Sequence, residues 1–277
     1  MLKSVLVLLG ETPSSISARQ YAFRLARETG AELTGLSGID LAFIEAPKAV
    51  PIGGTAYKVR REKELKKQAD TARNRLHGLF ADECKAQSVP FGWLSFEGDP
   101  MPALYLAIET RDLVVTGHDT AYYGNVRENL PEMLAKLVMT SPRPTILCAD
   151  ELSKGNDILV AYDGSLPSMR AVQIFALLGM ATDRRVHVTS IEAGQELAVR
   201  KACGAAAYLE SHGFRVETDP IASSAAPAEV IRAEVADRKI ATIVMGAYGH
   251  RGWREFLFGS TTRRLTEAPP CALFIYH

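Results

Sequence analysis

At 277 residues, 47% hydrophobic and 23% charged, the chain exceeds one typical domain and suits two globular domains of about 100–150 residues, each able to bury a core. Its 32 Lys and Arg balance 32 Asp and Glu, which leaves no positive excess to hold a nucleic acid or an anionic membrane surface. The apolar runs, such as Val5–Leu9 and Ile243–Met245, are strand-length and far short of the roughly 20 residues that a bilayer crossing takes.

The chain opens on Met1, one lysine and an apolar run stopped by Gly10 and Glu11, too short for the apolar core of a signal peptide, so a cytoplasmic protein is expected. Val5–Leu9 predicts a buried strand. A turn rich in Gly, Pro and Ser follows, then a helix whose apolar residues recur at helical spacing over Ala18–Ala26. Ile44–Tyr57, rich in Pro, Gly and Ala, reads as an insertion, and about Lys58–Gln87 as a long charged helix with a solvated face. Helix Met101–Thr110, strand Leu113–Gly117, helix Pro131–Thr140 and strand Thr145–Ala149 complete the first half. The polar stretch Asp150–Asn156 predicts a boundary between domains 1–150 and 151–277. Beyond it, a strand begins at Ile158, and a helix covers Ala171–Leu178. Helix Pro227–Arg238, strand Thr242–Gly246, helix Ser260–Glu267 and strand Ala272–Tyr276 close the chain. Cys84, Cys148, Cys203 and Cys271 lie far apart with no metal-ligand spacing, which predicts reduced thiols.

The two halves repeat. VLVLLGETPSSISAR (Val5–Arg19) lies over ILVAYDGSLPSMRAV (Ile158–Val172), placing Gly10 opposite Asp163 and Ser15 opposite Ser168; LVVTG (Leu113–Gly117) lies over TIVMG (Thr242–Gly246). Alternating helices and continuously apolar strands imply a parallel sheet covered on both faces, a doubly wound α/β fold, twice. The linker is too short for independent domains, so the halves are expected to pack together as a pseudo-dimer.

Ligands in such sheets sit at the carboxyl ends of strands. Two clusters occupy those positions: Asp163-Gly164-Ser165, and Met245-Gly246-x2-Gly249-x9-Gly259-Ser260, the latter running from a strand end to the start of the last helix. Glycines there let backbone approach a ligand and adopt positive φ, Ser260 heads a helix whose free N–H groups suit a phosphate, and Asp163 can accept from sugar hydroxyls. Singly these are ordinary turn chemistry; in this order and spacing they point to a nucleotide.

The strand-Asp-Gly-Ser start and the Gly-x2-Gly-x9-Gly-Ser pattern resemble the ATP-binding signature of the universal stress protein family, convincingly over residues 157–277 and more weakly over 1–150, as in its tandem members. The resemblance implies two domains of the adenine-nucleotide-binding, universal-stress-protein type. It puts Asp163 on ribose and Ile191, near the end of the second strand, beside adenine. Gly246 and Gly249 then approach ribose and phosphate, and Gly259, Ser260 and Thr261 hold the phosphates. Thr262 keeps a hydroxyl where the family often has Ser, and His250, Arg251 and Arg254 offer charge from the loop, though loop arginines are commonly just solvated. The implied ligand is ATP, with AMP or ADP as alternatives and Mg2+ on the phosphates. The implied assembly is a homodimer, an interface the tandem arrangement also offers internally, with protein partners unspecified.

At the aligned positions of the first half, Asp163 becomes Gly10, Gly249 becomes Thr120, Gly259 becomes Leu130 and Ser260 becomes Pro131, while Glu128 and Glu132 put negative charge at the helix start. One nucleotide per chain, in the second half, is therefore expected. Neither a GxxxxGK[ST] loop nor an SGGxDS loop is present, so catalysis beyond slow ATP hydrolysis is not indicated. The expected function is an ATP-binding stress or signalling protein, the alternatives a nucleotide-independent interaction protein and a weak ATPase.

Overall fold

The computed structural model describes residues 1–46, 55–124, 130–247 and 259–277. The first half runs β1 (Ser4–Leu8), α1 (Pro13–Thr29), β2 (Glu32–Asp40), α2 (Leu41–Ile44), α3 (Thr55–Ala86), β3 (Phe91–Gly98), α4 (Pro100–Ile108), β4 (Leu113–Gly117), α5 (Glu132–Thr140) and β5 (Thr145–Cys148). The second runs β6 (Asp157–Ala161), α6 (Leu166–Leu178), β7 (Arg185–Glu192), α7 (Gln195–Ser211), β8 (Arg215–Ala222), α8 (Pro227–Arg238), β9 (Ile240–Gly246), α9 (Ser260–Glu267) and β10 (Ala272–Tyr276).

Local chemistry sets the same opening in both halves. Thr12 caps α1, with Pro13 in its first turn and Gly30 ending it at φ 70°. Ser165 caps α6, with Pro167 in its first turn and Gly179 ending it at φ 63°. Hydroxyl caps satisfy the free N–H groups of a first turn, proline is pre-set for helical φ there, and glycine takes the left-handed conformation that stops a helix.

The described strands form one sheet in the order β3-β2-β1-β4-β5-β10-β9-β6-β7-β8. Each half therefore has the same internal order, mirrored about the centre. Within a half all pairings are parallel, as the continuously apolar strands imply. The central pair departs from that: β10 runs antiparallel to β5, with Leu273 opposite Leu147. Equivalent strands meeting antiparallel is what a two-fold relation between halves requires, the geometry of an isologous interface built inside one chain.

On one face of this junction α1 packs over β4 and β5, and α6 over β9 and β10. A single hydrophobic cluster spans both halves there, from Leu9 and Phe23 to Phe175 and Phe274. Buried Tyr21 of α1 shares a 3.0 Å hydroxyl contact with Thr242 of β9, and Arg184 pairs with Glu28 across the halves. On the other face Val138, Leu147, Leu159, Leu265 and Leu273 close a second shared cluster. None of the helices among the described residues is long and apolar enough to cross a membrane.

The four cysteines are free. Burial pushes the Cys84 thiol up to about 12, with Glu83 adding to it, and burial likewise takes Cys271 up to about 12. Burial raises Cys148 as well, while Cys203 is exposed. Thiolate, the reactive form, is therefore scarce at the three buried sites near pH 8. A chromogenic disulfide reagent at that pH should titrate one thiol per native chain, absent in Cys203→Ser, and the other three only in denaturant.

Leu147→Ala removes a fully buried side chain shared by both halves and should cost about 2–5 kcal/mol. Urea unfolding of this variant should shift as one transition for the whole chain; separate transitions for the halves would mean the junction does not couple them.

Candidate functional site

β6 delivers Asp163-Gly164-Ser165 at its carboxyl end. Asp163 Oδ1 accepts the Ser165 N–H at 2.9 Å, Gly164 takes the left-handed conformation at φ 74°, and Ser165 Oγ accepts the Ser168 N–H at 3.3 Å. From α7, the Lys201 ammonium donates to the Asp163 carbonyl at 2.7 Å and pairs with Glu192. These bonds pin the turn that starts α6.

A cavity of about 190 Å3 opens beside this turn, between the carboxyl ends of β6, β7 and β9 and the first turns of α8 and α9. Asp163, Ile191, Met245, Gly246, Gly259, Ser260, Thr261 and Thr262 all line it, as their positions in the sequence predict. Gly164 and Ser165 do not; they act through the turn and the cap. Gly249, His250, Arg251 and Arg254 lie outside the described residues.

The cavity has two chemically distinct walls. Ile191, Met245, Pro227 and Ile231 make an apolar one. Opposite lies the start of α9, where no side chain among the described residues caps the helix and no acidic residue occupies the first turn. Its free N–H groups, the positive end of the helix dipole and three successive hydroxyls favour an anion. Tyr162 also lines the cavity, and burial raises its phenol above the usual range, with Asp163 adding to the shift and Lys201 opposing it.

Sequence reasoning passed over Thr189 of β7. It is 1% exposed, lines the cavity and has no hydrogen-bond partner for its hydroxyl oxygen among the described residues. Such an atom costs about 1–3 kcal/mol unless water or a ligand satisfies it. Parallel pairing sets its position, since Ala161 of β6 stands opposite Thr189.

The glycines need a correction. Ligand approach and positive φ are the expected reasons for them, yet Gly246 is absent from the left-handed region and Gly259 sits at φ −53°. A Cβ on Gly246 would lie 2.5 Å from Ser168 N and 2.6 Å from Pro167 C, so the residue is glycine because α6 starts against it. Gly117 repeats this in the first half, 2.6 Å from Ser15 N. The close start of α6 thus requires glycine here whether or not a ligand approaches it.

Residues 156–277 match the Universal stress protein family. Universal stress protein Slr1230 from Synechocystis sp. (strain ATCC 27184 / PCC 6803 / Kazusa) is 26% identical over 158 residues, 56% of this chain and 54% of that relative. The match thus spans about half of that relative's length. A universal stress protein from Archaeoglobus fulgidus DSM 4304 superposes with a TM-score of 0.70 at 17% identity, covering 99% of this chain and 97% of that one. A functionally unknown protein, PA1789, from Pseudomonas aeruginosa PAO1 superposes with a TM-score of 0.59 at 14% identity, covering 99% and 92%. The whole-chain matches establish the fold across both halves.

Set beside the half that matches the family model, the first half shows how its counterpart cavity is closed. Ala161 and Thr189 become Leu8 and Leu36, again opposite each other in the sheet. Ile231 of α8 becomes Leu104 of α4. Tyr122, 4% exposed, joins these leucines in one cluster and donates its hydroxyl to the Leu36 carbonyl at 3.3 Å. Tyr123, also buried, stacks on Phe43. The anion end is reversed too, since α5 starts at Pro131 with Glu132 in its first turn. A pocket of about 310 Å3 remains outside this plug, where Asp40, Asp99 and Glu132 gather. Burial raises the Asp40 carboxyl above its usual range, helped by Asp99 and Glu132 and opposed by the Phe43 N–H.

Gly246→Ala should destabilise ligand-free protein by about 1–3 kcal/mol through overpacking against α6, with Gly117→Ala similar. Urea denaturation of nucleotide-stripped samples measures it; an unchanged midpoint would restore a ligand-only reason for the glycine.

Proposed function

We propose that residues 151–277 form a domain that binds an adenine nucleotide, ATP foremost, and that residues 1–150 form a second domain of the same fold that binds none. The protein is then a stress-response or signalling component whose nucleotide occupancy is its signal. What carries this reading is the chemistry of one cavity: an apolar slot, an uncapped helix start free of acid, and an orphaned hydroxyl between them.

The residues fit the ligand in order. Ile191, Ile231, Met245 and Pro227 offer a planar base an apolar slot, with Thr189 able to donate to or accept from its edge. Asp163, the one carboxylate lining the cavity among the described residues, suits ribose hydroxyls or a Mg2+ carried in on the phosphates. The N–H groups and hydroxyls of Ser260, Thr261 and Thr262 suit the phosphates.

One observation favours the alternative of a nucleotide-independent interaction protein. Asp163, Gly164, Ser165 and Gly246 each have a turn, cap or packing role that needs no ligand. The discriminating residues are therefore those with no such role, at the start of α9 and at Thr189.

Purified protein, heat-denatured, should release close to one ATP, ADP or AMP per chain. Stripped protein at about 100 times the dissociation constant in ATP and Mg2+ should gain roughly 2.7 kcal/mol of stability. Gly259→Leu with Ser260→Pro, which copies the first half, should abolish both effects while the chain stays folded. No released nucleotide and no stabilisation of the wild type would leave the interaction protein as the better account.

A further inference from the structure

The first half carries a second pocket, on the opposite face of its sheet from the plugged counterpart. It measures about 240 Å3 and lies between α3 and the carboxyl ends of β1 and β2, closed below by the loop after β4. In the second half, the corresponding corner between the strand ends and α7 is taken up by Lys201, bonded to Glu192 and the Asp163 carbonyl. Here α3 presents Gln68, Ala69, Ala72 and Leu76, and no lysine or arginine among the described residues lines the pocket.

Two largely buried polar side chains line it. Asp119 is 9% exposed and accepts from Thr12 at 2.7 Å and from Ser14, both on Oδ1. No lysine or arginine pairs with this carboxylate among the described residues, although a buried charge normally requires a counter-charge. The nearest titratable base is His118, which pairs with Asp150. Ser37 of β2 is 2% exposed, and its hydroxyl makes no hydrogen bond among the described residues. Its counterpart Ser190 donates to the Tyr162 carbonyl at 2.7 Å. Glu11 adds a second carboxylate at the rim, neutralised by Arg75. Leu9, Ala69, Ala72 and Leu76 form an apolar wall, beside which Gln68 is polar.

We propose that this pocket binds a small organic amine, its ammonium against Asp119 and within reach of Ser37, its apolar body along α3. The charge selects the class: the Asp119 carboxylate, with no lysine or arginine partner among the described residues, repels a phosphate and attracts a cation. The apolar wall selects an organic ammonium over a hydrated metal ion, and the volume limits it to a compact molecule.

The test uses full-length protein and calorimetric titration with tyramine, its neutral analogue tyrosol, its anionic analogue 4-hydroxyphenylacetate, and benzylamine. Saturable binding of one tyramine or benzylamine per chain is expected, at least about tenfold tighter than tyrosol, with none for the carboxylate; a tenfold ratio is about 1.4 kcal/mol. Asp119→Asn keeps an acceptor for Thr12 and Ser14 but removes the charge, and should weaken the amine about tenfold or more. Ala72→Phe fills the pocket from α3 and should abolish binding. Both variants should keep the wild-type melting temperature within a few degrees and the nucleotide response of the second half, which separates this site from that one. Equal binding of tyramine and tyrosol, binding that survives Ala72→Phe, or no binding of either amine at millimolar concentration would overturn the proposal.

Discussion

The antiparallel pairing of β5 with β10 is the constraint from which the rest of the arrangement follows. It converts two parallel sheets into one continuous sheet and buries the two inner edge strands, which would otherwise expose unpaired backbone groups. It also reverses strand direction across the centre. Because ligands in doubly wound folds sit at carboxyl ends, the two halves present their sites at opposite edges of the molecule. The cavity at β6, β7 and β9 and the α3 pocket are therefore chemically separate, in halves joined by the β5–β10 pairing and by a hydrophobic cluster on each face of the junction.

Within that frame a handful of side chains decide which half keeps a cavity. The strand ends are superposable in register: Leu8 opposite Leu36, Ala161 opposite Thr189. Two leucines in place of alanine and threonine, plus Tyr122, replace open volume with a packed core, and Glu132 reverses the charge that a helix start offers. At these two positions the first half holds leucines where the second holds the unpartnered Thr189 hydroxyl, and filling that volume with apolar side chains is stabilising. The first half then reads as a stable partner for the sheet, its open volume divided between the pocket beneath α3 and the one between α4 and α5.

Much of this was legible in the chain because buried parallel strands and capped helices leave strong local signals. β4, α8, α9 and β10 fall at the residues their patterns indicate. The internal repeat disclosed the doubled topology, and the polar stretch between Cys148 and Asp157 falls where the sequence breaks. β3 and β8 left no such signal: as edge strands they are half exposed, and FGWLSFEG and RVETDPIA mix polar with apolar residues. The antiparallel central pair was also hidden, since strand direction at a junction depends on tertiary packing and not on local pattern. Thr189 and Tyr122 escaped for the same reason, their roles being set by strands and helices far away in sequence.

The motif glycines carry a more general consequence. A glycine at the end of β4 and β9 is present in both halves because the next helix layer, α1 or α6, begins within 3 Å of where its Cβ would stand. It survives in a half whose site is plugged, so its presence cannot report binding. Ser260 carries more information, because nothing in the packing of α9 needs a hydroxyl there: the helix start has no side-chain cap, and Pro131 begins α5 equally well. Thr189 carries more still, because its buried hydroxyl is a cost that packing alone leaves uncompensated. In this fold the signature residues divide into those the architecture would keep without a ligand and those it would not. The functional inference stands on the second group.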